Sequence, residues 1–201
     1  MKDLKERTIR GGFAKLLSQI ANFVLRLGSL MALGRLLEPR DFGLVGMVTA
    51  VVGVLNIFRD FGLSTATIQR GEVTDEQLST LFWINILVGT VLGVFTAAIA
   101  PFVGTFYHEP RLVNVTLVMG VSFLFNAAGV QHSALLQREM RFTALAVIDI
   151  ISLVVSTGAG IGMAYTGYGY WALVATTIIP PLVGTICCWI WTASVRQILR
   201  Q

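Results

Sequence analysis

Long uncharged stretches alternate with short charged ones along this chain. Reading the apolar runs between charged or Gly/Pro-rich breaks predicts six helices: Phe13–Leu37, Phe42–Thr67, Leu78–Val103, Leu112–Leu136, Thr143–Tyr165 and Tyr170–Thr192. Each reaches the ~20 residues that a helix needs to cross the hydrocarbon core of a bilayer. A repeated pentapeptide shows the pattern most clearly. RDFGL occurs at Arg40–Leu44 and again at Arg59–Leu63, around the uncharged run VGMVTAVVGVLNIF. The copies start about 19 residues apart, which at ~1.5 Å per residue is roughly 28 Å of helix. They mark the two charged ends of one membrane-crossing helix. The DFG within them is no kinase motif, because the chain has no Gly-rich loop, Val-Ala-Ile-Lys strand or His-Arg-Asp loop beside it.

Short connections (EPRD, IQRGEVTDEQ, GTFYHEPR, QREMRF and TGYG) make neighbouring helices antiparallel and leave no room for a second soluble domain. The expected organisation is an amphipathic cytoplasmic arm over 1–12, a six-helix transmembrane lobe over 13–192 and a cytoplasmic tail over 193–201. The fold class is all-α, a polytopic membrane protein built as a six-transmembrane-helix bundle. The first apolar run is too long for the core of a secretory signal, so it reads as a retained helix.

Composition agrees. The chain is 55% hydrophobic and 13% charged, with mean hydropathy +0.74; one soluble core could not hide that much apolar surface. The net charge of +4 does not point to nucleic acid, since the basic residues punctuate apolar runs rather than gather on one face. Cys187 and Cys188 are adjacent within an apolar run and read as packing or lipid-facing residues.

Lys and Arg set the orientation. Counting around the spans, about ten fall on the side of both termini, and about three (Arg35, Arg40 and Arg111) on the other. Both termini therefore belong in the cytoplasm. The His108-Glu109-Pro110 turn and the Gly167–Gly169 turn face outward. Trp83, Tyr107, Tyr168, Tyr170, Trp171, Trp189 and Trp191 fall near run ends, where interfacial belts sit.

The sharpest chemical signal is in the first helix. Lys15, Ser18, Asn22, Arg26 and Ser29 recur at three- or four-residue steps and share one face. Arg26 is about 13 residues into its span, near mid-membrane, where an Arg costs roughly 2.5–3.5 kcal/mol on insertion scales. A carboxylate partner, a water-filled cavity or an anionic ligand must offset that cost; a structural ion pair or snorkelling is the plainer alternative. Softer stripes follow: Thr49, Gly53, Asn56 and Asp60 in the second helix, Ser122, Asn126, Gly129 and Ser133 in the fourth, and Asp149, Ser152, Ser156 and Gly160 in the fifth. Gly89 and Gly93 form a small-xxx-small pair. For small residues, helix packing is the first explanation. Arg59 and Asp149 lie at similar depth, so Arg59 with Asp149, or Arg59 with Asp60, could pair within the membrane; Asp60 and Asp149 are also candidates for cation coupling. Pro180-Pro181 should break or kink the sixth helix. No metal-ligand spacing or catalytic motif accompanies His108 or His132, and every loop is short, which favours transport over chemistry.

Several stretches carry a resemblance: LGRLLEPRDFGLVGMV, FRDFGLSTATIQR, TDEQLSTLFWIN, APFVGTFYHEP, ALLQREMRF and GYGYWALV. Nearly from end to end, and in register, the chain resembles the polysaccharide transporter branch of the multidrug/oligosaccharidyl-lipid/polysaccharide flippase superfamily. The resemblance implies one lobe of a two-lobe flippase of the bacterial inner membrane. Such a protein moves undecaprenyl-pyrophosphate-linked oligosaccharide for lipopolysaccharide, capsule or exopolysaccharide assembly through a cationic cavity, without a cofactor. Arg26, Asn22 and Ser18 are then the natural pyrophosphate ligands, with Arg59 and Asn56 nearer the cytoplasmic mouth. The expected partners are the lipid-linked oligosaccharide, membrane lipids and a second lobe, supplied by a C-terminal half, a separate chain or a second copy; nucleic acid is not among them. The chain stops just after its sixth span, as a natural half-protein, a truncated frame or a fragment would. Competing readings are a multidrug or lipid exporter lobe and a non-transporting scaffold of a polysaccharide assembly system; an enzyme ranks last.

Overall fold

The computed structural model describes residues 2–62, 75–138 and 142–198, with side chains of the first helix from Gln19 onward and of the second up to Ile57. Among these residues it contains six helices and no strand: α1 Lys2–Leu36, α2 Pro39–Gly62, α3 Asp75–Phe106, α4 Arg111–Arg138, α5 Phe142–Tyr165 and α6 Tyr170–Ile198. Five carry segments long and apolar enough to cross a membrane: Pro39–Ile57, Thr80–Phe106, Arg111–Val130, Thr143–Tyr165 and Tyr170–Trp191. Between 17% and 39% of the most apolar window of each is buried, so these spans present mostly apolar side chains to their surroundings, as a bundle solvated by lipid does. The chain is a multi-pass helical membrane protein. The described part of α1, whose side chains start at Gln19 and include Asn22, Arg26, Ser29 and Arg35, is not among the five.

The helix ends follow local chemistry. RDFGL opens α2 behind Pro39, whose fixed φ and missing N–H suit the first helical position. Gly11 and Gly12 do not interrupt α1, so the basic arm and the first apolar run form one continuous helix. Nor does Pro180-Pro181 end α6, where the sequence predicts a break or kink. The hydroxyls of Thr176 and Thr177 both donate to the Leu173 carbonyl, at 2.7 and 3.1 Å, in the turn before the prolines.

The α1–α2, α3–α4 and α5–α6 turns meet at one end of the bundle, as the antiparallel reading requires. Arg40 donates to Glu109 at 3.3 Å, and Arg111 lies 3.7 Å from the same carboxylate. Asp41 sits against Gly169. Two helices close here in the same way. At the end of α3, Glu109 N–H reaches the Gly104 carbonyl at 3.0 Å and His108 N–H the Thr105 carbonyl at 3.2 Å. At the end of α5, Tyr168 N–H reaches Met163 and Gly167 N–H reaches Ala164. Both are Schellman caps needing a left-handed residue. Gly167 fills that place at φ 82°, and His108 fills the other at φ 55°.

The main core lies toward this end. Leu33 and Leu37 of α1, Val48 and Val52 of α2, Met119 and Phe123 of α4 and Ala172 and Val174 of α6 form one buried cluster. A smaller one, Leu136, Leu145, Ile148 and Cys188, lies toward the other end. The α3–α4 pair is the most extensive helix contact, and its glycines explain why. A Cβ on Gly89 would stand 2.5 Å from that of Ala127 and 2.9 Å from the Phe123 carbonyl oxygen, and one on Gly93 would stand 3.2 Å from the Gly120 carbonyl oxygen. The small-xxx-small pair packs as its spacing predicts.

Candidate functional site

α1 packs chiefly on α5 rather than on its sequence neighbour α2. With connected neighbours antiparallel, α1 and α5 run the same way. Their register is set where Leu33 approaches Gly160, which is also pressed against Thr176 of α6. Counting back equally from that contact places Asn22 level with Asp149, Arg26 with Leu153, and Ser29 with Ser156. The three helices leave between them a groove of about 690 Å³.

Its walls differ in chemistry. α1 contributes Gln19, Asn22, Phe23, Arg26, Ser29, Leu30 and Leu33. α5 contributes Asp149, Ser152, Leu153, Ser156 and Thr157, while α6 adds Leu173, Thr176, Pro180 and Gly184. Arg26 is exposed on the open side, and Asn22 and Ser29 are half-buried beneath it. Asp149 is exposed about one turn away along the wall, whereas Ser152 and Ser156 are buried in the floor. Ser156 donates to the Leu153 carbonyl at 3.0 Å. A guanidinium with five N–H donors, two amides and a set of hydroxyls thus converge on one space. That arrangement can hold a compact anion by charge-assisted hydrogen bonds and neutral polar groups beside it.

The structure brings Arg26, Asn22 and Asp149 of the expected residues into this groove. Asn56 does not line it; its amide donates to the Val52 carbonyl of its own helix at 3.1 Å. Thr49 and Asn126 bond likewise to Val45 and Ser122, so the stripes on α2 and α4 are used within their helices. The side chains of Ser18, Arg59 and Asp60 lie outside those described, and with them both proposed Arg59 pairings. Gln19, Phe23, Thr157 and Thr176 were not singled out in the sequence. Phe23 and Thr176 look like ordinary span residues there, while Gln19 offers a signal, a polar side chain four residues before Phe23 on the Arg26 face. Among the described residues no group of His, Cys, Asp and Glu could hold a metal ion.

The fold and groove define a polytopic helical membrane protein with a polar, Arg-bearing cleft among its helices. Residues 32–200 match the family model described as polysaccharide biosynthesis protein. The chain belongs to that family, and the resemblance to the polysaccharide transporter branch holds. It is 26% identical over 182 residues to the lipopolysaccharide biosynthesis protein WzxC of Escherichia coli (strain K12), covering 90% of this chain and 36% of that protein. It is 37% identical over 102 residues to the teichuronic acid biosynthesis protein TuaB of Bacillus subtilis (strain 168), covering 51% of this chain and 21% of that one. To the succinoglycan biosynthesis transport protein ExoT of Rhizobium meliloti (strain 1021) it is 26% identical, covering 83% of this chain and 34% of the relative. The chain thus spans about a third or less of the length of these relatives. No solved structure matches it.

Proposed function

We propose that this chain is one lobe of a flippase that carries polyprenyl-pyrophosphate-linked oligosaccharide across the bacterial inner membrane for cell-surface polysaccharide assembly. The observation that carries the reading is Arg26, exposed in a groove of about 690 Å³ among helices of a membrane bundle. A pyrophosphate matches the planar donor fork of an Arg, and Asn22 beside it supplies a further donor. Ser18 and Arg59 are further candidate ligands for the headgroup, and both termini lie in the cytoplasm. The exposed side of the groove is closed by a second helical lobe, which places Arg26 in an aqueous cavity rather than in lipid. Asp60 and Asp149 are the candidates for an ion pair or for cation coupling, and transport rather than covalent chemistry is the activity.

One observation favours a second reading. Asp149 in the same groove is the group that an organic cation would seek, as in a multidrug exporter. Arg26→Ala separates the two. In cells that depend on this protein, the variant should insert at wild-type level yet lose surface polysaccharide and accumulate lipid-linked precursor on the cytoplasmic side. Loss of two charge-assisted hydrogen bonds corresponds to a weakening of about a hundredfold or more. Normal surface polymer in that variant would sink the flippase reading and leave a scaffold; a gain or loss of cation efflux alone would favour the exporter.

A further inference from the structure

The end of the bundle where the three turns meet carries charge that neither the core nor the groove uses. Arg40 and Arg111 approach one carboxylate through its two oxygens. Arg40 Nη2 donates to Glu109 Oε2 at 3.3 Å, and Arg111 Nε lies 3.7 Å from Oε1. Two guanidiniums on one carboxylate leave a positive charge in excess. Arg35 and Glu38 beside the α1–α2 turn cancel in charge, and Asp41 lies against Gly169 of the α5–α6 turn. Each guanidinium is a fork of several N–H donors. Among the described residues, the one hydrogen bond that the two forks make is that from Arg40. Their side chains are 71% and 56% exposed, so the remaining donors are accessible.

Local helix chemistry does not account for cations at these places. Arg40 is in the first turn of α2, and Arg111 opens α4, whose first turn has no acidic residue. A helix N-terminus is the positive end of its dipole and suits anions instead. Both arginines stand at the start of apolar segments, Pro39–Ile57 and Arg111–Val130, which is headgroup depth for a membrane bundle. Tyr107, Tyr168, Tyr170 and Trp171 stand at the same end, as interfacial aromatic residues do.

We infer that Arg40 and Arg111, set side by side by Glu109, form a headgroup site for an anionic phospholipid in the leaflet at this end. A phosphate diester presents two charged oxygens, which suit two neighbouring guanidinium forks. The excess charge repels the ammonium of a zwitterionic headgroup and leaves an uncharged glycerol headgroup unopposed. Because both arginines open membrane segments, the phosphate belongs to a lipid and not to the solution. Lipid held here joins the α1–α2 turn to the α3–α4 turn at the membrane surface. The site shares no residue with the Arg26 groove and stands apart from the transport reading.

The test uses the full chain in neutral detergent micelles with dioctanoyl phosphatidylglycerol or dioctanoyl phosphatidylethanolamine, and counts bound lipid by native mass spectrometry. The two probes share tails and phosphate and differ in the ammonium. A basic residue near a membrane surface is worth about fivefold in affinity for anionic lipid, so the wild type should prefer phosphatidylglycerol by about that factor. Arg40→Ala and Arg111→Ala each cancel the excess charge, and the preference should disappear. Glu109→Gln adds to the excess and should raise the preference by about a further fivefold. Exposed ion pairs contribute little to stability, so unfolding midpoints without lipid should stay close to wild type, and a lost preference then reads as lost binding. Equal binding of the two lipids by the wild type overturns the site. So does an unchanged lipid preference in Glu109→Gln or in both alanine variants, which would make the arginines mere counter-charges to Glu109. Displacement of the lipid by inorganic phosphate at equal concentration would mark a free-anion site and overturn the lipid. Loss of the preference in Arg26→Ala would move the lipid to the groove and overturn the proposal as well.

Discussion

Two regions of this bundle are built on opposite principles. At the end where the α1–α2, α3–α4 and α5–α6 turns meet, five helices contribute to one apolar cluster, two Schellman caps close the helix ends, and an Arg–Glu–Arg group ties two turns together. Along the α1–α5–α6 face, packing stops short and leaves a cleft lined by a guanidinium, a carboxylate and hydroxyls. The difference teaches where each kind of free energy goes. Side chains around Phe123 fill space against other side chains. Those around Arg26 line a polar cleft instead.

Substitutions should separate these roles. The largest loss of stability is expected from Phe123→Ala, 1% exposed within that cluster. It should cost about 3–5 kcal/mol, read as a lowered unfolding midpoint in detergent, with groove ligation retained in the protein that still folds. Arg26→Leu is its mirror image. Removing a cation that costs roughly 2.5–3.5 kcal/mol to insert should leave insertion and stability equal or improved while abolishing pyrophosphate binding. A marked fall in stability would show instead that Arg26 is a structural ion-pair partner. Gly89→Ala comes next. Its Cβ would meet Ala127 at 2.5 Å, so α3 and α4 must move apart, at a cost of about 1–3 kcal/mol. The smallest effect has the opposite sign. His108→Gly should gain up to about 1 kcal/mol by relieving a left-handed non-glycine residue, detectable as a small rise in the unfolding midpoint. No change there would mean that the imidazole makes a compensating contact.

Much of the frame is legible in the sequence because its signals are local. Six apolar runs became six helices, since each run's length and flanking charges act within the run itself. RDFGL sits where a helix begins, and Gly89 with Gly93 lies against α4. The first run was the partial exception: its polar stripe both marked the groove and lowered its hydropathy below that of the other spans. The site was half legible. Periodicity put Asn22, Arg26 and Ser29 on one face of α1, and Asp149, Ser152 and Ser156 on one face of α5, yet it could not say that the two faces meet. The pairing of Arg59 with Asp149 was suggested by depth, and the Arg59 side chain lies outside those described. Pro180-Pro181 suggested a break or a kink, and α6 does not end there. A proline removes local hydrogen bonds, but helix neighbours packed on both sides of the pair keep α6 continuous.

What the chain determined by itself is whatever depends on near neighbours along it: helix lengths, turn chemistry, alternating direction and which residues share a face. Lateral arrangement was decided by the assembled bundle, because helices far apart in the chain choose partners by the fit of their surfaces. That choice set α1 beside α5 instead of α2. It brought a cation, a carboxylate and buried hydroxyls around one space that no single helix contains.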